Sequence, residues 1–147
     1  MPVPVRAVRF SLPADLAYLD VARRFLAVLG DKSGLSEREV HEIQLVVTEA
    51  MTNVIEHGYG PTFEGGIVDL EFEVSDEVLV LVLRDRAPVG FDGAGPEVDL
   101  ERYRAERKVG GLGLQLMRRL FDEVAFAREE PDGANLVRLV RRVRRGE

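Results

Sequence analysis

The chain has 147 residues, 46% of them hydrophobic and 31% charged, which is the size and composition of one globular domain. Acidic residues outnumber basic ones by 26 to 20, and the net charge of −6 argues against direct binding to nucleic acid or to an anionic membrane surface. Because there are two His and no Cys, thiolate zinc sites, disulfides and cysteine nucleophiles are excluded. No apolar run reaches the roughly 18 residues of a membrane span, and we expect one cytoplasmic domain over residues 1–147.

The first half of the chain predicts one strand and two helices. Val8, Phe10 and Leu12 alternate with polar residues, which is the period of a half-buried strand. Apolar residues then recur at helical spacing over positions 16–29. A second helix begins at Ser36, where Glu39 completes a capping box, and ends near position 58. Its apolar stripe consists of Val40, Ile43, Val47, Ala50 and Val54.

The second half predicts two strand pairs separated by a polar loop and a helix. Alternation over 68–74 indicates a strand with one wet face, and the apolar run 78–83 indicates a central strand covered on both faces. Residues 93–109 are polar and mixed, which is typical of a loop with at most a short helix. The remaining predicted elements are a helix at 112–121 and strands at 124–128 and 136–143.

This order of elements predicts an α/β fold in two layers. Hairpin-linked strands require antiparallel pairing, and about three amphipathic helices need one sheet face to cover. We therefore expect a mixed, mostly antiparallel sheet with helices on one face. The arginines at the end of the chain predict a solvated edge strand protected by charge, with a nucleic-acid patch as the alternative. They are Arg138, Arg141, Arg142, Arg144 and Arg145.

A polar stripe on the second helix is the first candidate site. Glu49, Asn53 and His57 recur at i, i+4 and i+8, so they are expected to project from one side of the helix. A carboxylate and an amide carbonyl one turn apart can activate a hydroxyl and hold a hard cation such as Mg²⁺. The alternative is a solvated polar face near a helix end.

Asp85 is the second candidate, because it ends an apolar strand just before a Pro/Gly turn. A carboxylate in this place can accept a hydrogen bond from the amino group of a base. The alternative interpretation is an Asp that merely starts the turn.

The third candidate is a glycine-rich segment, Gly110-Gly111-Leu112-Gly113-Leu114, which leads directly into a predicted helix. Glycines let backbone N–H groups approach an anion, and a helix N-terminus favours negative charge. Lys108 adds positive charge just before it. A tightly packed helix entry is the alternative, and the absence of a Gly-Lys-Ser/Thr ending excludes a Walker loop.

In combination, the three segments resemble the N, G1 and G2 boxes of the GHKL ATPase superfamily, which includes gyrase-type, chaperone, histidine kinase and mismatch-repair ATPases. Within it, the chain is similar to the small stand-alone anti-sigma factor serine/threonine kinases. The resemblance implies a single histidine kinase-like ATPase domain with the Bergerat ATP-binding fold. The matching segments are Glu49-Ala50-Met51-Thr52-Asn53, Glu56-His57-Gly58-Tyr59 and Gly110-Gly111-Leu112-Gly113-Leu114.

The resemblance implies a role for each matched residue. Glu49 is expected to act as general base, Asn53 to bind the Mg²⁺ that bridges the ATP phosphates, and Asp85 to bind the adenine amino group. Residues 93–109 are the expected ATP lid. His57 is interpreted as a structural or substrate-side residue rather than a phosphoacceptor. The expected cofactor-binding residues also include His57, Gly90, Lys108, Gly110, Gly111, Leu112, Gly113 and Leu114.

The function implied by the resemblance is an ATP-dependent serine/threonine kinase that phosphorylates a STAS-domain anti-anti-sigma protein and, as a homodimer, sequesters a sigma factor. The alternative is a non-catalytic, nucleotide-responsive switch that only sequesters a partner. The pair Glu49 and Asn53 favours the kinase. Two departures favour the switch: Ala87 stands where the G1 box has its first glycine, and Asn135 stands near the place of a late-box hydroxyl, for which it could substitute. A sensor histidine kinase is disfavoured, since the first predicted helix carries no His.

Overall fold

A computed structural model describes residues 5–60, 65–87, 97–98, 111–129 and 133–143, and their elements follow the predicted chain order. None of the helices in these ranges is both long and apolar enough to cross a membrane. The helices are α1 (Leu19–Lys32), α2 (Glu37–Asn53) and α3 (Gly111–Leu120). The strands are β1 (Val5–Pro13), β2 (Ile67–Val74), β3 (Val78–Asp85), β4 (Glu97–Val98), β5 (Glu123–Glu129) and β6 (Ala134–Arg142).

Helix α2 begins at the predicted capping box. Ser36 Oγ accepts a hydrogen bond from the backbone N–H of Glu39, and Glu39 Oε1 accepts one from the backbone N–H of Ser36, both at 3.1 Å. Past Asn53 the helix continues as a π-helical segment, Val54–Tyr59. The chain leaves this segment at Gly60 with φ of 86°, a conformation that glycine adopts without strain. The predicted end of the helix is confirmed, but its last turn is not α-helical.

All six strands form one sheet in the order β1-β2-β3-β6-β5-β4. Every neighbouring pair is antiparallel. The antiparallel character is therefore confirmed, whereas the parallel pair that a mixed sheet requires does not occur within the described ranges. Inside the predicted loop 93–109, Glu97 and Val98 pair with β5, so the two described residues of that loop form a short strand. The rest of that loop lies outside the described residues.

The helices pack on one face of the sheet, which confirms the two-layer prediction. Alternate residues of β2 are buried beneath them: Val68, Leu70, Phe72 and Val74. The predicted apolar stripe of the second helix enters the same core through Ile43, Val47, Ala50 and Val54, with Val40 half-buried beside it. The candidate site residues on this helix are therefore held by a helix that the core fixes along its length.

The central position of β3 is confirmed, and its two faces are covered in different ways. One face, with Leu79, Leu81 and Leu83, lies in the core. On the other face Val80 is half-buried and Val82 is buried. The cross-strand neighbours of Val82 are Glu71 and Arg138, so within the described ranges neighbouring side chains shield this face and not a second helical layer.

The prediction of an arginine-rich edge strand is wrong, because β6 lies between β3 and β5. Arg138 is exposed on the outer face. Arg141 points to the helix layer, where its side chain is buried and lies 2.6 Å from Glu42 Oε2. Positions 144 and 145 lie outside the described residues. Charge alone suggested an edge, whereas the two-residue period puts Arg141 on the same face as the buried Leu139.

A chain of charged side chains crosses the outer face next to the end of β3. Arg9 and Arg84 both donate to Glu71 Oε2, at 2.9 and 3.1 Å, and Arg84 Nε donates to Glu129 at 3.1 Å. Hydrogen bonding by Arg9, together with Arg84, outweighs partial burial and holds the pKa of the Glu71 carboxyl below its ordinary value. These contacts link four strands, β1, β2, β3 and β5, close to the candidate residue Asp85.

Candidate active site

The end of α2 carries two of the predicted site residues one helical turn apart. Glu49 is exposed, whereas Asn53 is only 6% exposed. The amide nitrogen of Asn53 is buried without a hydrogen-bond partner among the described residues. An unsatisfied buried donor costs about 1–3 kcal/mol, and a ligand that accepted a hydrogen bond from this amide would remove that cost.

The π-helical segment changes the geometry of the predicted stripe before its third member. Hydrogen bonds in a π-helix join residues five apart and not four, so His57 is out of the α-helical register of Glu49 and Asn53. His57 is half-buried. The prediction of one stripe therefore holds for Glu49 and Asn53 but not for His57, whose role stays a prediction. Single π-helical turns of this kind are frequent at functional sites.

Asp85 is buried at the last position of β3. Its Oδ1 accepts hydrogen bonds from the backbone N–H of Ala87 at 2.9 Å and from Asn135 Nδ2 at 3.0 Å. The first bond is that of an Asp that starts a turn, so Asp85 has this structural role, and binding of an adenine amino group by Asp85 stays a prediction. The same bond also accounts for Ala87, since the turn uses the backbone N–H of that residue and needs no glycine.

The second bond brings the late-box position to Asp85. Asn135 is 2% exposed and lies directly opposite Asp85 in the pairing of β3 with β6. An amide nitrogen can only donate, so Asn135 orients the carboxylate by a direct bond. The sequence suggested that Asn135 stands near the place of a hydroxyl, but its contact with Asp85 depends on the position of β6 in the sheet.

Tyr59 is a structural link of the site that sequence reasoning missed. Its hydroxyl donates to the carbonyl of Ile67 at 2.8 Å and accepts from the backbone N–H of Arg86 at 3.1 Å. A Cβ added at Gly66 would lie 2.9 Å from the Tyr59 ring, so the ring needs a glycine there. Tyr59 thus ties the end of the π-helical segment to the residue that follows Asp85. The feature of the sequence that could have indicated this role is the aromatic residue directly after His57-Gly58.

The glycine-rich segment leads into α3 as predicted, since Gly111 is the first residue of that helix. The first N–H groups of a helix have no partner within it and favour anions. Gly113 lies in the first turn. Gly90, Lys108 and Gly110 lie outside the described residues, and the roles predicted for them, for Leu112 and for Leu114 stay predictions.

The chain matches the family model of the histidine kinase-like ATPase domain over residues 12–141. It is 27% identical to the serine-protein kinase RsbW of Staphylococcus epidermidis over 140 residues, which are 92% of this chain and 87% of that protein. It is 32% identical to the serine-protein kinase RsbW of Bacillus licheniformis over 122 residues, which are 80% of this chain and 75% of that protein.

Its fold is similar to a crystal structure of the RsbU and RsbW domains of a Mycobacterium tuberculosis protein, with a TM-score of 0.62, 18% identity, and cover of 96% of this chain and 33% of that one. The chain therefore belongs to the histidine kinase-like ATPase family. Within that family it groups with the serine-protein kinases of the RsbW type, to which it is similar over most of its length. The resemblance inferred from the three motifs is confirmed.

Proposed function

We propose that this protein is an ATP-dependent kinase that transfers phosphate to a serine or threonine of a STAS-domain anti-anti-sigma protein, and that it also sequesters a sigma factor in the cytoplasm. One observation carries the proposal: exposed Glu49 lies one turn from buried Asn53, whose amide has no partner among the described residues. Tyr59 ties that helix end to the turn after Asp85. These contacts support the proposal, because they connect the elements that carry the proposed general base, the proposed Mg²⁺ ligand and the carboxylate proposed to bind adenine.

Glu49 suits the role of general base because its carboxylate is accessible to a hydroxyl that a protein substrate presents. In the transfer, the hydroxyl oxygen forms the new bond to phosphorus, its proton goes to Glu49, and the nucleoside diphosphate leaves. Bound Mg-ATP supplies the phosphoryl group and neutralises charge in the transition state. What this chain contributes is mainly the positioning of the two reactants.

Asn53 suits a Mg²⁺ ion that is held largely by nucleotide phosphates. Within the described ranges no three His, Cys, Asp or Glu side chains are grouped closely enough to hold a metal. Mg²⁺ keeps several waters and commonly takes only one or two protein ligands besides substrate phosphates. The carbonyl oxygen of Asn53 is a hard ligand of the kind it prefers, and the orphan N–H of the same amide can donate to a phosphate oxygen.

Binding of Mg-ATP is expected to stabilise the fold. At about 100 times the dissociation constant, a ligand that binds only the native state raises the free energy of unfolding by roughly 2.7 kcal/mol. Chemical or thermal unfolding with and without Mg-ATP measures this. Asp85→Asn should lose most of the effect, whereas Asp76→Asn, a matched change of an exposed turn residue, should keep it. An unfolding midpoint unmoved by millimolar Mg-ATP would overturn the proposed nucleotide site.

We also propose that the protein acts as a homodimer. An apolar seam runs along one side of α1 from the turn before it, through Tyr18, Val21, Phe25 and Val28, at spacings of three and four residues. Phe25 is 45% and Val28 is 55% exposed. The Phe25 ring stacks on Phe10 of β1 at 4.7 Å. In the described part of the chain β1 has only β2 as a neighbour, and such an unpaired edge beside an apolar seam is a template for pairing with another chain.

Phe25→Glu is expected to shift the protein from dimer to monomer, because it places a charge in the centre of the seam. Light scattering after gel filtration measures the mass directly. Leu45→Glu is the matched control, since Leu45 is also exposed but lies on α2. A parent protein that is monomeric at every concentration tested, or a dimer that Phe25→Glu leaves intact, contradicts this interface.

A further inference from the structure

A cavity of about 570 Å³ lies between the first turns of α2, the last turns of α3 and strand β6. Pockets for small molecules commonly have volumes of roughly 300–1,000 Å³. The cavity is lined at Ser36, the N-terminal end of α2, whereas Asn53 is at the other end of that helix. A helix of this length extends about 25 Å, so the cavity is separate from the candidate active site.

Arg141 forms the buried wall of this cavity. It is 7% exposed, and its Nη1 lies 2.6 Å from Glu42 Oε2. Glu42 Oε1 also accepts from Arg38 Nε at 2.9 Å. Burial raises the pKa of Glu42, but hydrogen bonds from Arg141 and Arg38 outweigh it and hold that pKa below its ordinary value. One carboxylate is therefore shared between two guanidinium groups.

Guanidinium donors remain open to the cavity after this pairing. A guanidinium has five N–H donors, and the bond to Glu42 uses one of those on Arg141. No nitrogen of Arg141 is among the buried, unpaired side-chain atoms of the described residues, so its other donors are accessible from the cavity. Arg119, which also lines the cavity, makes no hydrogen bond or ion pair within the described ranges.

The remaining lining consists of two carboxylates that already accept hydrogen bonds and of an apolar wall. Glu39 accepts from the backbone N–H of Ser36, and Glu42 is shared between Arg38 and Arg141. The cavity is lined by three arginines and these two glutamates, so the formal charge of its lining is positive by one. Leu116 and Leu120 of α3 supply the apolar wall. The cavity thus combines guanidinium N–H donors that have no acceptor among the described residues with an aliphatic surface, in a chain whose net charge is −6.

We propose that this cavity binds a small organic anion, with its carboxylate or phosphate head on Arg119 and Arg141 and its aliphatic body against Leu116 and Leu120. Planar guanidinium groups match the oxygens of either head group in a bidentate manner. Both α2 and α3 extend from this cavity to the candidate active site. The site is independent of the proposed nucleotide chemistry.

The test uses the full chain without nucleotide, titrated calorimetrically with hexanoate, hexyl phosphate, inorganic phosphate and hexylamine. Saturable binding of hexanoate, of hexyl phosphate or of both is the expected result, and it identifies the preferred head group. Hexyl phosphate should bind more tightly than inorganic phosphate, because only the former contacts the leucines. Equal binding of inorganic phosphate, binding of hexylamine, or no saturable binding of either organic anion overturns the proposal.

Two neighbouring arginines provide matched variants. Arg119→Gln removes a donor that lines the cavity and should weaken binding of the organic anion by about tenfold. Arg118→Gln makes the same change at the adjacent exposed position, which does not line the cavity, and should leave affinity at the parent value. Both residues are exposed, so both variants are expected to fold. Equal loss in the two variants would mean non-specific attraction and would contradict the site.

Discussion

Glu49→Gln is expected to lower the rate of phosphate transfer by about 10²–10⁴-fold, the usual contribution of a positioned general base. Glutamine keeps the shape of the side chain and its capacity to accept a hydrogen bond, but it does not take up the proton of the attacking hydroxyl. Binding of Mg-ATP should stay near the parent value, because the base acts in the transition state. Labelled phosphate transfer from ATP to a cognate STAS protein, run beside a nucleotide titration, measures both quantities.

Glu56→Gln is the matched control for this experiment. Glu56 is exposed on the π-helical segment of the same helix end, so its substitution makes the same charge change close to the site. It should transfer phosphate at nearly the parent rate. Undiminished transfer by Glu49→Gln would eliminate Glu49 as the base. A parent that binds its partners but transfers no phosphate would favour the sequestering switch over the kinase.

Asn53→Ala is expected to abolish the Mg²⁺-dependent part of the stabilisation by nucleotide. In the parent protein the whole stabilisation amounts to roughly 2.7 kcal/mol at a ligand concentration of about 100 times the dissociation constant. The protein without ligand should unfold near the parent midpoint. The buried amide nitrogen has no partner among the described residues, so its removal breaks no hydrogen bond there. Unfolding curves with ATP in the presence of Mg²⁺ or of a chelator separate the metal-dependent part.

Asn53→Asp provides the control, because it keeps an oxygen ligand at the same place and should retain a metal-dependent effect. Thr52→Ala, at the preceding half-buried position, should leave that effect unchanged. Strong destabilisation of ligand-free Asn53→Ala would instead make Asn53 a structural residue. In that event the exposed Glu49 could still be the base, but the assignment of the metal ligand would be wrong.

Local patterns in the sequence predict most of the helices and strands. They succeed where the residues that determine a feature all lie in one short segment. The Ser36–Glu39 capping box specifies the start of α2, and the alternation of β2 specifies which of its residues enter the core. The order of strands is not local. Arg141 belongs to an arginine-rich segment of the kind that is typical of an edge strand. It is nevertheless buried against Glu42, because β6 pairs with β3 and β5. No pattern within the sequence of β6 predicts which strands pair with it.

The candidate site divides in the same way. A spacing of four residues within one α-helix is sufficient to put Glu49 beside Asn53. The direct bond from Asn135 to Asp85 joins residues 50 positions apart, and it depends on the register of two strands. The π-helical segment that ends at Tyr59 could not be predicted from the sequence either. The Tyr59 hydroxyl contacts the carbonyl of Ile67 in β2 and the backbone N–H of Arg86 after β3, and these partners are in place only once the sheet has formed.

The pairing of β3 with β6 has a consequence for the order in which the chain can fold. These strands form the centre of the sheet, although the whole segment from residue 86 to residue 133 separates them in sequence. During synthesis β1, β2 and β3 emerge first and leave one side of β3 without a partner until β6 follows. Closing such a distant pair is slow compared with local contacts. The nascent chain therefore exposes an unpaired, strongly apolar strand from the completion of β3 until β6 has been synthesised, which is the kind of surface that chaperones bind.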